Sequence, residues 1–267
     1  MDFIISNFIP IAVVVVIAFI LIRRSQQKKD NVIRQDVQQK TEAEAKALGI
    51  QVNQQADGSV RGGEVMGTND FQGNTGGIDW TLRSSLSTGQ KGRKIGKSMW
   101  RTSAVKWPTG KFLLLISTPA DMKSGKIERG GFMNTLINKA ADMLLDVYVG
   151  VYFGSEYKDL VNIGEDGVKI ERETLRDFTI LTNHPELAER FLDEPTATVI
   201  SGWKQSSQGF SKEQQVDQFG LLFAPDGVIL TCQANMTSPA EVKLLSDFGA
   251  VLATKMKGLV DQKEAVS

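Results

Sequence analysis

The chain has 267 residues, with 31 basic and 31 acidic side chains and no net charge, which argues against the broad positive field of a general nucleic-acid binder. Its hydrophobic content of 41% is ordinary for a folded protein, so the polar part of the chain is expected to bury a core. With one histidine and a single cysteine, Cys232, neither a zinc site of the usual kind nor an intrachain disulfide framework can be built.

The first stretch, Phe3 to Ile22, is almost wholly apolar and uncharged. Twenty helical residues reach about 30 Å, the thickness of a hydrocarbon core. A cleaved signal peptide would show a basic start and a small-residue cleavage site, whereas the chain starts Met-Asp-Phe and the apolar run ends in Ile22-Arg23-Arg24. Residues 1–22 are therefore predicted to be an uncleaved transmembrane anchor. Arg23, Arg24, Lys28, Lys29 and Arg34 follow it and no basic residue precedes it. Positive residues stay on the cytoplasmic side, so the N-terminus is expected outside and the rest of the chain in the cytoplasm. The composition suits a bacterial inner membrane.

Residues 23–51 are rich in Gln, Lys, Glu and Ala, helix formers without a broad apolar face. They predict a polar helical stalk, with Ile33, Val37 and Leu48 allowing only weak self-association as a coiled coil. Residues 52–77 hold seven glycines among Asn and Gln, and read as a flexible linker. The folded domain is expected over 78–260.

Ile78, Trp80 and Leu82 alternate along a strand over 78–87. Two further strands, 98–107 and 111–117, read as a hairpin around Pro108-Thr109-Gly110, and the run 112–116 as a strand buried on both faces. Residues 132–146 carry a helical pattern with Met133, Leu136, Ile137, Ala140, Ala141 and Leu144 on one face. A β-prone run follows over 147–153. Glu165-Asp166-Gly167 predicts a turn between strands 160–163 and 168–171. A strand over 177–182 ends at Asn183, which is expected to cap a helix that has Pro185 in its first turn. Glu194-Pro195 opens a second short helix through about Lys204.

Pro225-Asp226-Gly227 between two apolar runs makes 219–233 the clearest hairpin. Ser238-Pro239-Ala240-Glu241 opens a last helix with a capping box; its apolar face is read as Leu244, Leu245, Phe248, Val251, Leu252 and Met256. The order of elements predicts an α+β fold, a mainly antiparallel sheet with packed helices preceded by one transmembrane helix. A division into two subdomains near Tyr157 is compatible with this order.

Gly92 to Ser98 ends like a phosphate-binding P-loop, but its first glycine is one residue out of place and the following residues look extended. A broader feature covers the same region. Between Trp80 and Ala120 there is no acidic residue, against eight basic ones: Arg83, Lys91, Arg93, Lys94, Lys97, Arg101, Lys106 and Lys111. Trp100 and Trp107 are interleaved with them. Lysines commonly protect an edge strand; beside an anionic leaflet each cation near the surface contributes about 1 kcal/mol, and tryptophan suits the interface. These ten residues are the expected membrane or partner contact.

His184 lies at a helix start, Cys232 in a hairpin, and no G-x-S-x-G surrounds a serine. No catalytic residue, metal ligand or cofactor is singled out. The reading is a membrane-anchored, cytoplasm-facing protein that binds an unidentified protein partner or the anionic membrane surface. The alternatives are an enzyme with a carboxylate site, with Glu171 and Glu173 able to share a strand face, and a structural subunit of a membrane assembly.

Overall fold

The computed structural model describes residues 2–61, 64–88, 94–117, 149–150, 152–161, 167–206, 215–236 and 238–264. The side chains of residues 2–22 and of some strand and helix ends fall outside that description. A long helix, α1 (Asp2–Ala47), leads into β1 (Gln51–Arg61), β2 (Glu64–Thr75), β3 (Ile78–Thr88), β4 (Lys94–Thr102) and β5 (Leu113–Ser117). Then come α2 (Lys158–Val161), β6 (Val168–Lys169), β7 (Phe178–Thr182), α3 (Pro185–Phe191), α4 (Glu194–Ser206), β8 (Gln215–Ala224), β9 (Gly227–Gln233) and α5 (Pro239–Glu264).

The nine strands of the described residues join one antiparallel sheet in the order β1-β2-β3-β4-β9-β8-β5-β7-β6. The expected α+β class with an antiparallel sheet is what the chain forms. The sheet is interleaved, because the late hairpin β8–β9 sits between β4 and β5. A division near Tyr157 would cut through it, and β4 and β5 are not hairpin partners as expected. The hairpin fills that central place because its two apolar runs can face a core on both sides.

One face of the sheet buries Trp80, Leu82, Trp100, Leu113, Leu115, Leu221, Phe223 and Leu230 under α3, α4, α5 and the end of α1. Trp203 stacks on Phe248 at 4.5 Å, and Phe219 meets Phe248 edge-on. The other face buries Phe112, Leu114, Ile116, Leu222 and Ile229 beneath Val149, Tyr152, Phe153, Tyr157 and Val161. Residues 113–116 are thus buried on both faces, as read from their unbroken apolar run.

The Gly-rich residues 52–77, expected as a linker, are mostly strand, and the sheet begins at Gln51 rather than near residue 78. Val52 and Phe71 pair across β1 and β2 and pack into the core, while Asn53, Asp70 and Gln72 belong to the opposite alternation. Gly76 and Gly77, at φ 59° and 82°, make the tight turn into β3. A side chain at Gly73 would strike the Trp80 indole, 2.6 Å from where its Cβ would lie.

Other expectations need correction. Val149, Gly150 and Tyr152 are helical rather than extended, with Phe153 N–H bonded to Val149 C=O. Residues 160–161 lie in α2, and β6 pairs with β7 instead. His184, not Asn183, occupies the N-cap of α3. The Asn183 amide instead accepts from Phe112 N–H (2.8 Å) and donates to Gly110 C=O (3.0 Å), tying the loop before β5. In α5 the capping box forms, Ala240 N–H to Ser238 Oγ and Ser238 N–H to Glu241 Oε2. Val251, however, is 54% exposed, and Val242, Ala253 and Leu259 belong to the buried face. The expected helix over 132–146 lies outside the described residues.

The stalk is helical, continuous with the expected anchor through residue 47. The apolar run 3–22 has a helical backbone, but its side chains lie outside the description. Among the described residues no helix is long and apolar enough to cross a membrane.

Candidate functional site

Strand alternation sends every second side chain of β1–β4 to the face opposite α5. Cross-strand register then aligns them in rows: Asn53 beside Asp70, Asp70 beside Arg83, Arg83 beside Met99. A second row sets Gln51 beside Gln72, Gln72 beside Thr81 and Thr81 beside Arg101. Together with Glu156 these residues line a shallow groove of about 880 Å³.

The charges in the groove are matched. Arg83 donates two hydrogen bonds to Asp70, at 2.8 and 3.2 Å, and that contact raises the guanidinium pKa above its usual value. Arg101 pairs with Glu156 at 3.6 Å, donates to Phe153 C=O at 3.3 Å, and lies 6.0 Å from the Tyr157 ring centre. Tyr157 donates to Asp226 in the β8–β9 turn; burial first, then this bond, pushes its pKa up to about 12. The phenol therefore stays protonated and acts as a latch, not as a base. Among the amides, Gln72 donates to Gln51. The groove offers amide donors and acceptors, and its lining carries two ion pairs, Arg83 with Asp70 and Arg101 with Glu156, with Lys97 on the same face beside Arg101.

Among the described residues, the expected contact residues do not form one surface. Arg83, Lys97 and Arg101 share the groove-side face of β3 and β4. Lys97 is half-buried there, and burial, followed by repulsion from Arg101, lowers its pKa. Lys94 opens β4 opposite Thr88. Lys106 is exposed beyond β4 and Lys111 half-buried before β5. Lys91 and Arg93 lie outside the described residues.

Trp100 and Trp107 correct the expectation outright. They are 0% and 2% exposed and belong to the core, so neither can enter a membrane interface. Trp100 falls on the inward alternation of β4, against Gly249 of α5. Trp107 packs against Phe223 and meets His184 edge-on at 6.2 Å.

The groove residues that the sequence reading missed are Gln51, Asn53, Thr81, Asp70, Gln72 and Glu156. Most sit in or beside the supposed linker. The available signal was polar residues alternating with Val52 and Phe71, obscured by the glycines.

The remaining chemical candidates find structural roles. The P-loop-like Gly-Lys-Ser lies on β4, where Ser98 Oγ bonds Ala234 C=O (2.7 Å) and the buried Ser84 hydroxyl (2.9 Å). Ser84 also accepts from Met236 N–H, so this buried network pins the chain entering α5 onto β3 and β4. Glu171 and Glu173 are exposed and pair separately with Lys169 and Arg176. Burial pushes the Cys232 thiol up to about 12, leaving it inert. Among the described residues no group of three or more His, Cys, Asp or Glu side chains could hold a metal ion.

No family model matches the chain, and no curated protein does. Among solved structures, the crystal structure of the mycobacterial trehalose monomycolate transport factor A, TtfA, is similar at 10% identity. The likeness covers 84% of this chain and 94% of that one, with a TM-score of 0.39. A likeness this distant transfers no residue and no ligand.

Proposed function

We propose that this chain is a single-pass membrane protein that holds a protein partner on the open face of β1–β4. Residues 3–22 are its anchor and the domain lies on the cytoplasmic side. The uncharged apolar run and the cations that follow it support the anchor and its direction. The observation that carries the binding reading is the groove. Its side-chain amides match the donors and acceptors of a peptide main chain, and its paired arginines leave little net charge for anionic headgroups. With both tryptophans in the core, lipid contact loses the aromatic half of its support.

The test is affinity capture of the full-length protein from native membranes. Two controls run beside it: residues 1–50 alone, and a full-length Thr81→Arg variant that fills the groove. Thr81 is exposed, so this change leaves the core untouched. A partner retained by the full-length protein and lost from both controls is expected. Capture that survives Thr81→Arg would remove the groove from the reading, and capture by residues 1–50 would move the contact to the anchor or stalk.

A further inference from the structure

The junction between helix and sheet has no slack. Helix α1 ends in a Schellman motif: Ile50 N–H bonds Ala45 C=O at 2.8 Å and Gly49 N–H bonds Lys46 C=O at 3.2 Å. Gly49 takes the left-handed conformation this needs, at φ 70°. Ala45 and Ile50, the apolar pair that closes the motif, are both buried in the main core, and Thr41 is buried one turn earlier. Strand β1 begins at the next residue, Gln51. The last turns of α1 also touch α5, so two elements of the domain grip the helix.

Toward the N-terminus the same helix is largely exposed. Residues 23–40 are exposed apart from Asp30 and Arg34, which are half-buried. Side-chain bonds along the helix support it there, Lys40 to Asp36 at 2.9 Å and Gln38 to Glu42 at 2.8 Å. At 1.5 Å per residue this stretch measures about 27 Å.

We infer that α1 is a rigid strut that fixes the height and the facing of the groove above the bilayer. The inference rests on the anchor reading for what the strut stands on, and on the Schellman junction for its rigidity. A domain on a flexible linker would sweep a hemisphere and reach the headgroups. A domain on this strut presents β1–β4 about 27 Å out along the helix, in one direction, and a partner must reach it there.

Two measurements on the full-length protein in lipid nanodiscs test this. Spin labels at Gln27→Cys and Thr254→Cys, both exposed positions, report the stalk-to-domain distance; the native Cys232 is buried and unreactive. One narrow distance distribution is expected, broadened when four Gly/Ser residues are inserted after Lys29. A broad distribution in the unmodified chain would overturn the strut. In the second measurement, energy transfer from a dye on Thr254→Cys to labelled headgroups reports height. Inserting seven helix-forming residues after Arg24 should raise the dye by about 10 Å and leave the spin-label distance unchanged. An unchanged height would overturn the inference. Release of the protein from the bilayer by alkaline extraction would instead sink the anchor reading, and the spin-label result would still stand on its own.

Discussion

Two halves of one sheet share the same antiparallel pairing and meet different surroundings. In β5, β8 and β9, both alternations are apolar, and helices or helical turns cover both faces. In β1–β4 only one alternation is apolar: Phe71, Leu82 and Trp100 face α5, while Asp70, Arg83 and Arg101 line the groove. The difference teaches that cover follows the second alternation and not the first. Any strand of this sheet must bury one face; a second apolar face draws a second layer, and a polar one leaves a surface free for recognition.

The comparison can be broken most forcefully at Trp100. Trp100→Ala empties the covered face of β4 and should cost about 3–5 kcal/mol in denaturant unfolding. Next is Gly220→Ala, on the second covered face. Its new methyl would lie 2.7 Å from the Phe153 ring, and overpacking of this kind costs about 1–3 kcal/mol. If Gly220→Ala were neutral, the layer over β8 would be looser than described.

Smaller effects sharpen the contrast. Gly49→Ala meets no neighbouring atom, so its cost is conformational alone, about 1 kcal/mol, read from the thermal midpoint. Asp193 joins the start of α4 to α5. It bonds Lys255 at 2.6 Å and caps Thr196, and these contacts, Lys255 first, hold its carboxyl at about 2. Its folded value is depressed, so its contribution is complete above the ordinary value of 3.8 and fades as pH falls toward 2. Both partners are more than a third exposed, so solvent limits the pair to about 1 kcal/mol or less. Asp193→Asn should remove the pH-dependent part in acid titrations and keep the cap, and Asp193→Ala should lose both. The smallest effect belongs to the open face: Arg83→Ala should change stability by less than about 1 kcal/mol, although its register neighbour Met99 directly precedes the buried Trp100 on β4. A large loss there would mean that the groove is structural.

Much of the covered half was legible in the sequence. The run 112–116 is apolar without interruption, and turn chemistry at Pro225-Asp226-Gly227 marks the hairpin between the apolar runs of β8 and β9. The capping box set the start of α5, but the helical period misplaced Val251, since spacing gives a stripe and not its width. The open half was harder to read. In β1 and β2 the apolar alternation rests on few residues, Val52 and Phe71 among them, diluted by glycines that serve a turn at 76–77 and a tryptophan contact at 73. Burial of Trp100 followed from its parity with Ile78, Trp80 and Leu82 once β3 and β4 were paired in register. A one-dimensional count of cations and tryptophans could not supply that register. Nor could it show that Arg83 and Arg101 are ion-paired, because their partners Asp70 and Glu156 lie outside the acid-free stretch.

The interleaved strand order has a consequence for how the protein is made. Ribosomes deliver β4 and β5 long before β8 and β9, yet those two strands become neighbours of nothing but the late hairpin on their facing edges. The nascent chain must carry two unfinished sheet fragments, each with an open edge, until residue 233 has emerged. Such long-range pairing slows folding and exposes edges to mispairing with other nascent chains. A chain cut short before Gly227 would therefore be two sticky fragments, not a smaller version of the domain.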